Sequence, residues 1–166
     1  MDYEKVLEKC TTKSSLRNEV GLAKLLLKSE RFLIGDTLGI ILPIENREVR
    51  WLNREYGVRS PQKRIFKMTD IKNCSFNCIL AENEPNQYDV EFRSVEAWGN
   101  FNVLQIANLH QGGGHYNASG CTIKEGGTRE EITTRIKQQA RELYQQQGFN
   151  VQEMTPDEQD MELANI

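Results

Sequence analysis

Three consecutive glycines, Gly112, Gly113 and Gly114, run directly into His115, and this is where the chain has the means to do chemistry. Glycine leaves backbone N–H groups unshielded, so an anion can approach them closely. It can also end a short helix through a left-handed residue. His115 then stands at the lip of such a cradle, able to donate to a phosphate oxygen. The plainer alternative is a flexible turn. Upstream, Arg93 ends an alternating stretch on its solvent-facing parity, where a guanidinium can grip phosphate with two parallel bonds that lysine cannot copy. A solvated surface arginine is the competing reading. Ser94 either adds a hydroxyl donor or caps the turn that follows. Trp98 and Tyr116 either stack on a base, as aromatics do in single-strand readers, or pack. His110 falls at a helix end, where it stabilises that terminus.

These residues need elements to hold them. Tyr88, Val90 and Phe92 alternate with Asp89, Glu91 and Arg93, the period-two pattern of a half-covered strand. Phe76 to Glu82 reads as its partner across a turn rich in Glu, Asn and Pro. A short helix over Val103 to His110 follows Asn102, a good N-cap, and stops at the glycines. Cys121-Thr122-Ile123 reads as a strand. Thr128-Arg129-Glu130-Glu131 is a capping box opening a last helix, with Ile132, Ile136, Ala140 and Leu143 inward and Gly148 at its end. Earlier, residues 2–10 place Tyr3, Val6, Leu7 and Cys10 at helical spacing. Ser14 or Ser15 can cap the next helix, whose apolar stripe is Leu16, Val20, Ala23 and Leu27. Leu38 to Ile44 is a continuous apolar run, the mark of a buried strand. A charged helix from Arg47 to Tyr56 ends at Gly57, and Gln62 to Ile71 is ambiguous, with a second short helix as one reading. Seven basic residues (Arg47, Arg50, Arg54, Arg59, Lys63, Arg64 and Lys67) form either a solvated face or a strip for a phosphate backbone. The order of elements implies an α/β domain, a mixed sheet flanked by helices and preceded by a helical linker. The expected divisions are a helical linker at 1–31, the α/β domain at 32–150 and a disordered acidic tail at 151–166.

Composition bounds the function. Of the 166 residues, 38% are apolar and 27% charged, ordinary for a soluble domain. The net charge of −3 hides an asymmetry: Glu153, Asp157, Glu158, Asp160 and Glu162 lie in a tail with no Lys or Arg, and without those five acids 19 remain against 21 basic residues. A nearly neutral body argues against indiscriminate binding of long nucleic acid and is compatible with a small phosphorylated ligand. No apolar run approaches the roughly 20 residues that span a bilayer, and the charged N-terminus has no signal-peptide hydrophobic region. Cys10, Cys74, Cys78 and Cys121 lack framework spacing, so reduced thiols in the cytoplasm are expected. Cys74 and Cys78 share one face of a straight strand, roughly 13 Å apart at about 3.3 Å per residue. That is too far for a shared metal and fits small buried hydrophobes.

Taken together, Arg93-Ser94, Asn102-Val103 with Ile106-Ala107, Gly112-Gly113-Gly114-His115 and Ala118-Ser119-Gly120 resemble the C-terminal, DHH-associated domain of the DHH-family phosphoesterases. The branch they most resemble is that of the nano-RNases, or oligoribonucleases, and phosphoadenosine-phosphate phosphatases. The match is specific between Phe76 and Ile123 and looser over Leu16 to Gly148. The resemblance implies a substrate-binding domain in which Arg93, Ser94, Gly112, Gly113, Gly114 and His115 hold the phosphate of short RNA or DNA or of a nucleoside bisphosphate. In that family a separate N-terminal domain carries Asp and His ligands for paired metal ions, usually manganese, including the DHH triplet. This chain has no such triplet, so it is expected to be inactive alone and to work with a DHH domain in cis or in trans. Its start close to the linker suggests a separately made C-terminal domain or a shortened protein. A free-standing RNA- or nucleotide-binding module, distantly similar to the C-terminal domain of alanyl-tRNA synthetases, is the alternative, and a regulatory subunit is a third.

Overall fold

The structure, a computed structural model, describes residues 16–58, 73–124 and 126–154. In chain order these form α1 (Leu16–Leu26), β1 (Glu30–Ile34), β2 (Thr37–Ile44), α2 (Asn46–Tyr56), β3 (Cys74–Glu84), β4 (Gln87–Ser94), α3 (Leu104–Leu109), β5 (Gly113–His115), β6 (Ala118–Ile123), α4 (Arg129–Gln146) and β7 (Val151–Glu153). The strands make one seven-stranded sheet in the order β5-β6-β4-β3-β2-β1-β7. Only β2 and β3 run parallel, joined by a crossover that includes α2. The other neighbours are antiparallel. The sheet is therefore mixed and flanked by helices, as the sequence implies. Among the described residues no helix is long and apolar enough to cross a membrane.

Each face of the sheet has its own core. On one, Phe76, Cys78 and Leu80 of β3 join Tyr88, Val90 and Phe92 of β4 under α3 and α4. Tyr144 is the large residue here, its ring 4.1 Å from Phe101 and 5.7 Å from Phe76 between centroids. It takes the last inward position of α4 expected for Leu143, which is only half-buried, while Ile132, Ile136 and Ala140 are buried as expected. On the other face, Leu22 and Leu25 of α1 and Leu52 of α2 cover Leu38, Ile40, Leu42 and Ile79. This second core stops at β3.

Local signals explain the ends of the helices. Thr128 accepts from the Glu131 amide while Glu131 reaches back to the Thr128 amide, completing the capping box. Gly57 closes α2 in the left-handed conformation, φ 65°.

Five expectations need correction. The α1 stripe of Val20, Ala23 and Leu27 faces outward, with Val20 42% and Leu27 54% exposed. The buried face is Gly21, Leu22 and Leu25, because bare Gly21 lets Tyr56 of α2 approach within 2.7 Å of where a Cβ would stand. Cys74 and Cys78 do not share a face: the register with β2 shifts between Leu38 and Gly39, so Cys74 joins the α1–α2 core and Cys78 the other. Such a bulge adds one residue and inverts the alternation. Asn102 is not the cap of α3; Val103 is, without a side-chain hydrogen bond. Glu30 and Arg31, assigned to the linker, already belong to β1. Val151 to Glu153, assigned to the tail, form β7 on β1, where Val151 is buried and Lys137 of α4 reaches Glu30 at 3.0 Å and Glu153 at 3.1 Å. The helices expected at residues 2–10 and 62–71, the cap at Ser14 or Ser15, the tail beyond 154, Cys10, and four of the seven basic residues (Arg59, Lys63, Arg64 and Lys67) lie outside the described residues. Arg47, Arg50 and Arg54 are exposed on α2, Arg47 paired with Glu45 and Arg54 with Glu55.

The free thiols carry a pH consequence. Burial, assisted by the charge of Asp89, pushes Cys121 up to about 11, and burial raises Cys78 as well. A folded-state pKa above the unfolded value, about 8.5, means stability that is complete below that pH and is lost as pH rises toward the folded pKa. Thermal melts should therefore fall from pH 8.5 to 11, and Cys121→Ala should flatten that decline; a variant melting curve with the wild-type slope would refute the assignment.

Candidate anion-binding site

Directly opposed residues of neighbouring antiparallel strands project to the same side of a sheet. Arg93 of β4 opposes Ala118 of β6, and Ala118 opposes His115 of β5. The next row on this side is Glu91, Gly120 and Gly113. Between them, Phe92, Ser119 and Gly114 point the other way, toward the α4 core. Arg93 and His115 thus stand two strand spacings apart, about 10 Å between backbones, with only Ala118, Gly120 and Gly113 between them. The result is a trough with a cationic wall, an imidazole wall and a floor almost without side chains. Among the described residues the α1–α2 core stops at β3, and His115 and Gly113 are exposed.

Arg93 is half-buried, donates from Nη1 to the Phe92 carbonyl at 3.0 Å and lies 3.6 Å from Glu91. It is held along its own strand, with its charge partly offset by Glu91. Ser94 is buried and donates its hydroxyl to the Phe101 carbonyl at 2.7 Å. Of its two readings the structure favours the turn cap. That bond fixes the 95–103 loop. The loop in turn grips the β5–β6 turn: Tyr116 donates to the Asn100 carbonyl at 2.9 Å, and the Asn117 amide to Asn100 Oδ1 at 3.2 Å. Trp98 and Tyr116 are exposed, Tyr116 directly after His115 in the chain. His115 makes no hydrogen bond or ion pair that ties it to the described residues. His110 sits at the end of α3 and meets Gln139 of α4 at 2.8 Å.

Gly113 and Gly114 lie in the three-residue strand β5 at the sheet edge, and Gly112 comes just before it. The left-handed residue after α3 is Gln111, φ 57°, rather than a glycine. The Gly112 amide already donates to the Ala107 carbonyl at 2.9 Å, and a Cβ there would collide with the Gly120 carbonyl and with Cys121. Gly114, φ 135°, has Ala118 O and Ser119 Cα 2.6 Å from the place of a Cβ. Gly113 differs from both: its φ is ordinary and a Cβ would meet nothing within 4 Å. The fold requires Gly112 and Gly114, and it does not require Gly113.

Ala118 and Gly120 as floor, Glu91 as neighbour and Asn77 behind Arg93 are the members that sequence reading did not assign. Asn77 opposes Arg93 across β3–β4, fully buried, with neither amide atom paired. A polar residue inside the run Phe76 to Leu80 is the signal that marks it. Among the described residues no three His, Cys, Asp or Glu side chains converge as a metal site. The expected contrast is between neighbours: Gly113→Ala should melt within about 1 kcal/mol of wild type, whereas Gly112→Ala should lose about 2 kcal/mol or more through overpacking. Equal melting temperatures for the two would contradict the packing described.

No protein-family model matches the chain, and no curated protein sequence does. Among solved structures, an exopolyphosphatase-related protein from Bacteroides fragilis is similar, with a TM-score of 0.58 and 23% identity over 87% of this chain and 39% of that one. A pGpG-specific phosphodiesterase from Vibrio cholerae is similar over 74% of this chain and 39% of that one, at 12% identity and a TM-score of 0.48. The chain spans about two-fifths of the length of these structures. It has the fold of one part of the exopolyphosphatase-related protein.

Proposed function

We propose that this domain binds the phosphate of a short oligonucleotide or of an adenosine bisphosphate and presents it to a metal-bearing DHH domain for hydrolysis. One observation carries the reading: Arg93 and His115 face each other across a floor cleared of side chains, where Gly113 is bare without structural need. A phosphate lowered onto Ala118, Gly120 and Gly113 accepts from the guanidinium on one side and the imidazole on the other. The fold likeness to part of an exopolyphosphatase-related protein supports the same assignment. Ser94 acts indirectly, by fixing the loop that anchors the β5–β6 turn. Gly112 and Gly114 act by allowing β5 to lie against β6.

The chemistry of hydrolysis belongs to the partner domain, in cis or in trans. Paired manganese ions there would activate water and stabilise the leaving oxygen; the described residues supply orientation and charge, and no step runs through a metal they hold. The free thiols of buried Cys74 and Cys78 and of half-buried Cys121 suit a cytoplasmic setting.

Two measurements test this. In calorimetric titration with adenosine 3′,5′-bisphosphate and with diadenylate, His115→Ala and Arg93→Lys should each weaken binding by about 1.5–3 kcal/mol, the worth of a charge-assisted hydrogen bond. Gly113→Val should fold and lose binding. Wild-type affinity in all three would sink the phosphate assignment. Purified 1–166 with manganese should leave di- to pentanucleotides intact, and adding a DHH domain should start cleavage. Turnover by the chain alone, abolished in His115→Ala, would overturn the division of labour. Binding with no turnover in any pairing would favour a non-catalytic nucleotide-binding module.

A further inference from the structure

The trough continues along the sheet into a groove of about 290 Å³ between α2 and strands β3 and β4. Its lining is apolar at Val49, Ile79 and Ala81, acidic at Glu82, Asp89 and Glu91, and has Asn46 and Asn83 at one end of β3. Glu91 belongs to both places, since it lines the groove and shares a row with Gly120 and Gly113. Asp89 follows on the same side of β4, where Oδ1 accepts from the Thr122 hydroxyl at 2.8 Å. Glu82 is engaged by the Asn46 amide at the start of α2, at 3.1 Å.

These walls set what can enter. An ionised carboxylate only accepts, so a second phosphate is repelled and a group rich in donors is favoured. The trough is one strand away, about 5 Å, so the donor must be joined closely to the bound phosphate. A ribose meets both conditions, with vicinal hydroxyls next to its phosphodiester. Carboxylates read ribose hydroxyls in this way at dinucleotide sites. The base then has the half-buried side chain of Val49 to cover. We propose that this groove is a ribose subsite in which Glu91 accepts from the 2′-hydroxyl beside Asp89, so that the site selects ribonucleotides over deoxyribonucleotides.

The inference rests on the phosphate assignment for the trough, and the two fail differently. The probes are the diribonucleotide pApA and its all-deoxy counterpart, titrated into chain 1–166. Wild type should bind the ribo form about tenfold more tightly, as expected for one hydrogen bond to a charged acceptor at a half-open site. Glu91→Ala should bring the ratio near one. The deoxy affinity should hold or rise, because Arg93 loses the carboxylate that competes for it; a merely structural role for Glu91 would instead lower both affinities together. Asp89→Asn serves as the second variant and should reduce the ratio severalfold. Equal wild-type affinities, or a ratio that survives Glu91→Ala, would overturn the sugar subsite while leaving the phosphate assignment standing. If wild type binds neither dinucleotide, both fall.

Discussion

The alternation of β4, β6 and β5 about a common register is the constraint on which the site depends. Phe92 and Ser119 are buried on one side, and Arg93, Ala118 and His115 are thereby delivered to the other. A slip of one residue would exchange the two sets. It would expose Phe92, forfeiting about 1.5–3 kcal/mol of burial, and push an arginine toward the Phe76–Tyr144 core, where an unpaired charge is far more costly. Hydrophobic burial on one face therefore aligns the polar groups on the other. The close contacts at Gly112 and Gly114, and the Asn117 carbonyl accepting from the Ser94 amide at 3.1 Å, lock that alignment at the end where the walls stand.

A second constraint is that the α1–α2 layer is too narrow to cover the sheet. Among the described residues its core takes in β2 and β3 and no residue of β4, β6 or β5. The edge of α2 is fixed by Glu45, which caps the helix and also receives Arg129 of α4 at 2.6 Å. One ion pair between the N-termini of two helices thus joins the layers on opposite faces. The boundary between covered and bare sheet is where the groove lies, so its walls come from regular elements on both sides.

Much of this was legible in the chain. Alternation at Tyr88, Val90 and Phe92 marked β4, the capping box at Thr128 marked α4, and Gly57 marked the end of α2. What was not legible depends on partners distant in sequence. Two apolar stripes run along α1, and only the approach of Tyr56 to Gly21 decides which is buried. Cys74 leaves the face of Cys78 because of a bulge that its own neighbours do not announce. Val151 to Glu153 read as tail because three residues have little to bury until β1 and Lys137 meet them. The glycine triplet did not announce that Gly113 and Gly114 pair with β6 as a strand. The row of Arg93, Ala118 and His115 exists only in the pairing of three strands.

The two borders of the sheet are alike in one respect. β5 and β7 are each three residues long, and neither offers an apolar side chain on its outer run beyond Val151. A long, flat border invites another chain to extend the sheet, the route to aggregation. Among the described residues the border strands are too short to template a long strand. The glycine-rich border can consequently stay bare and open to solvent for a small ligand without making the domain adhesive to its own copies.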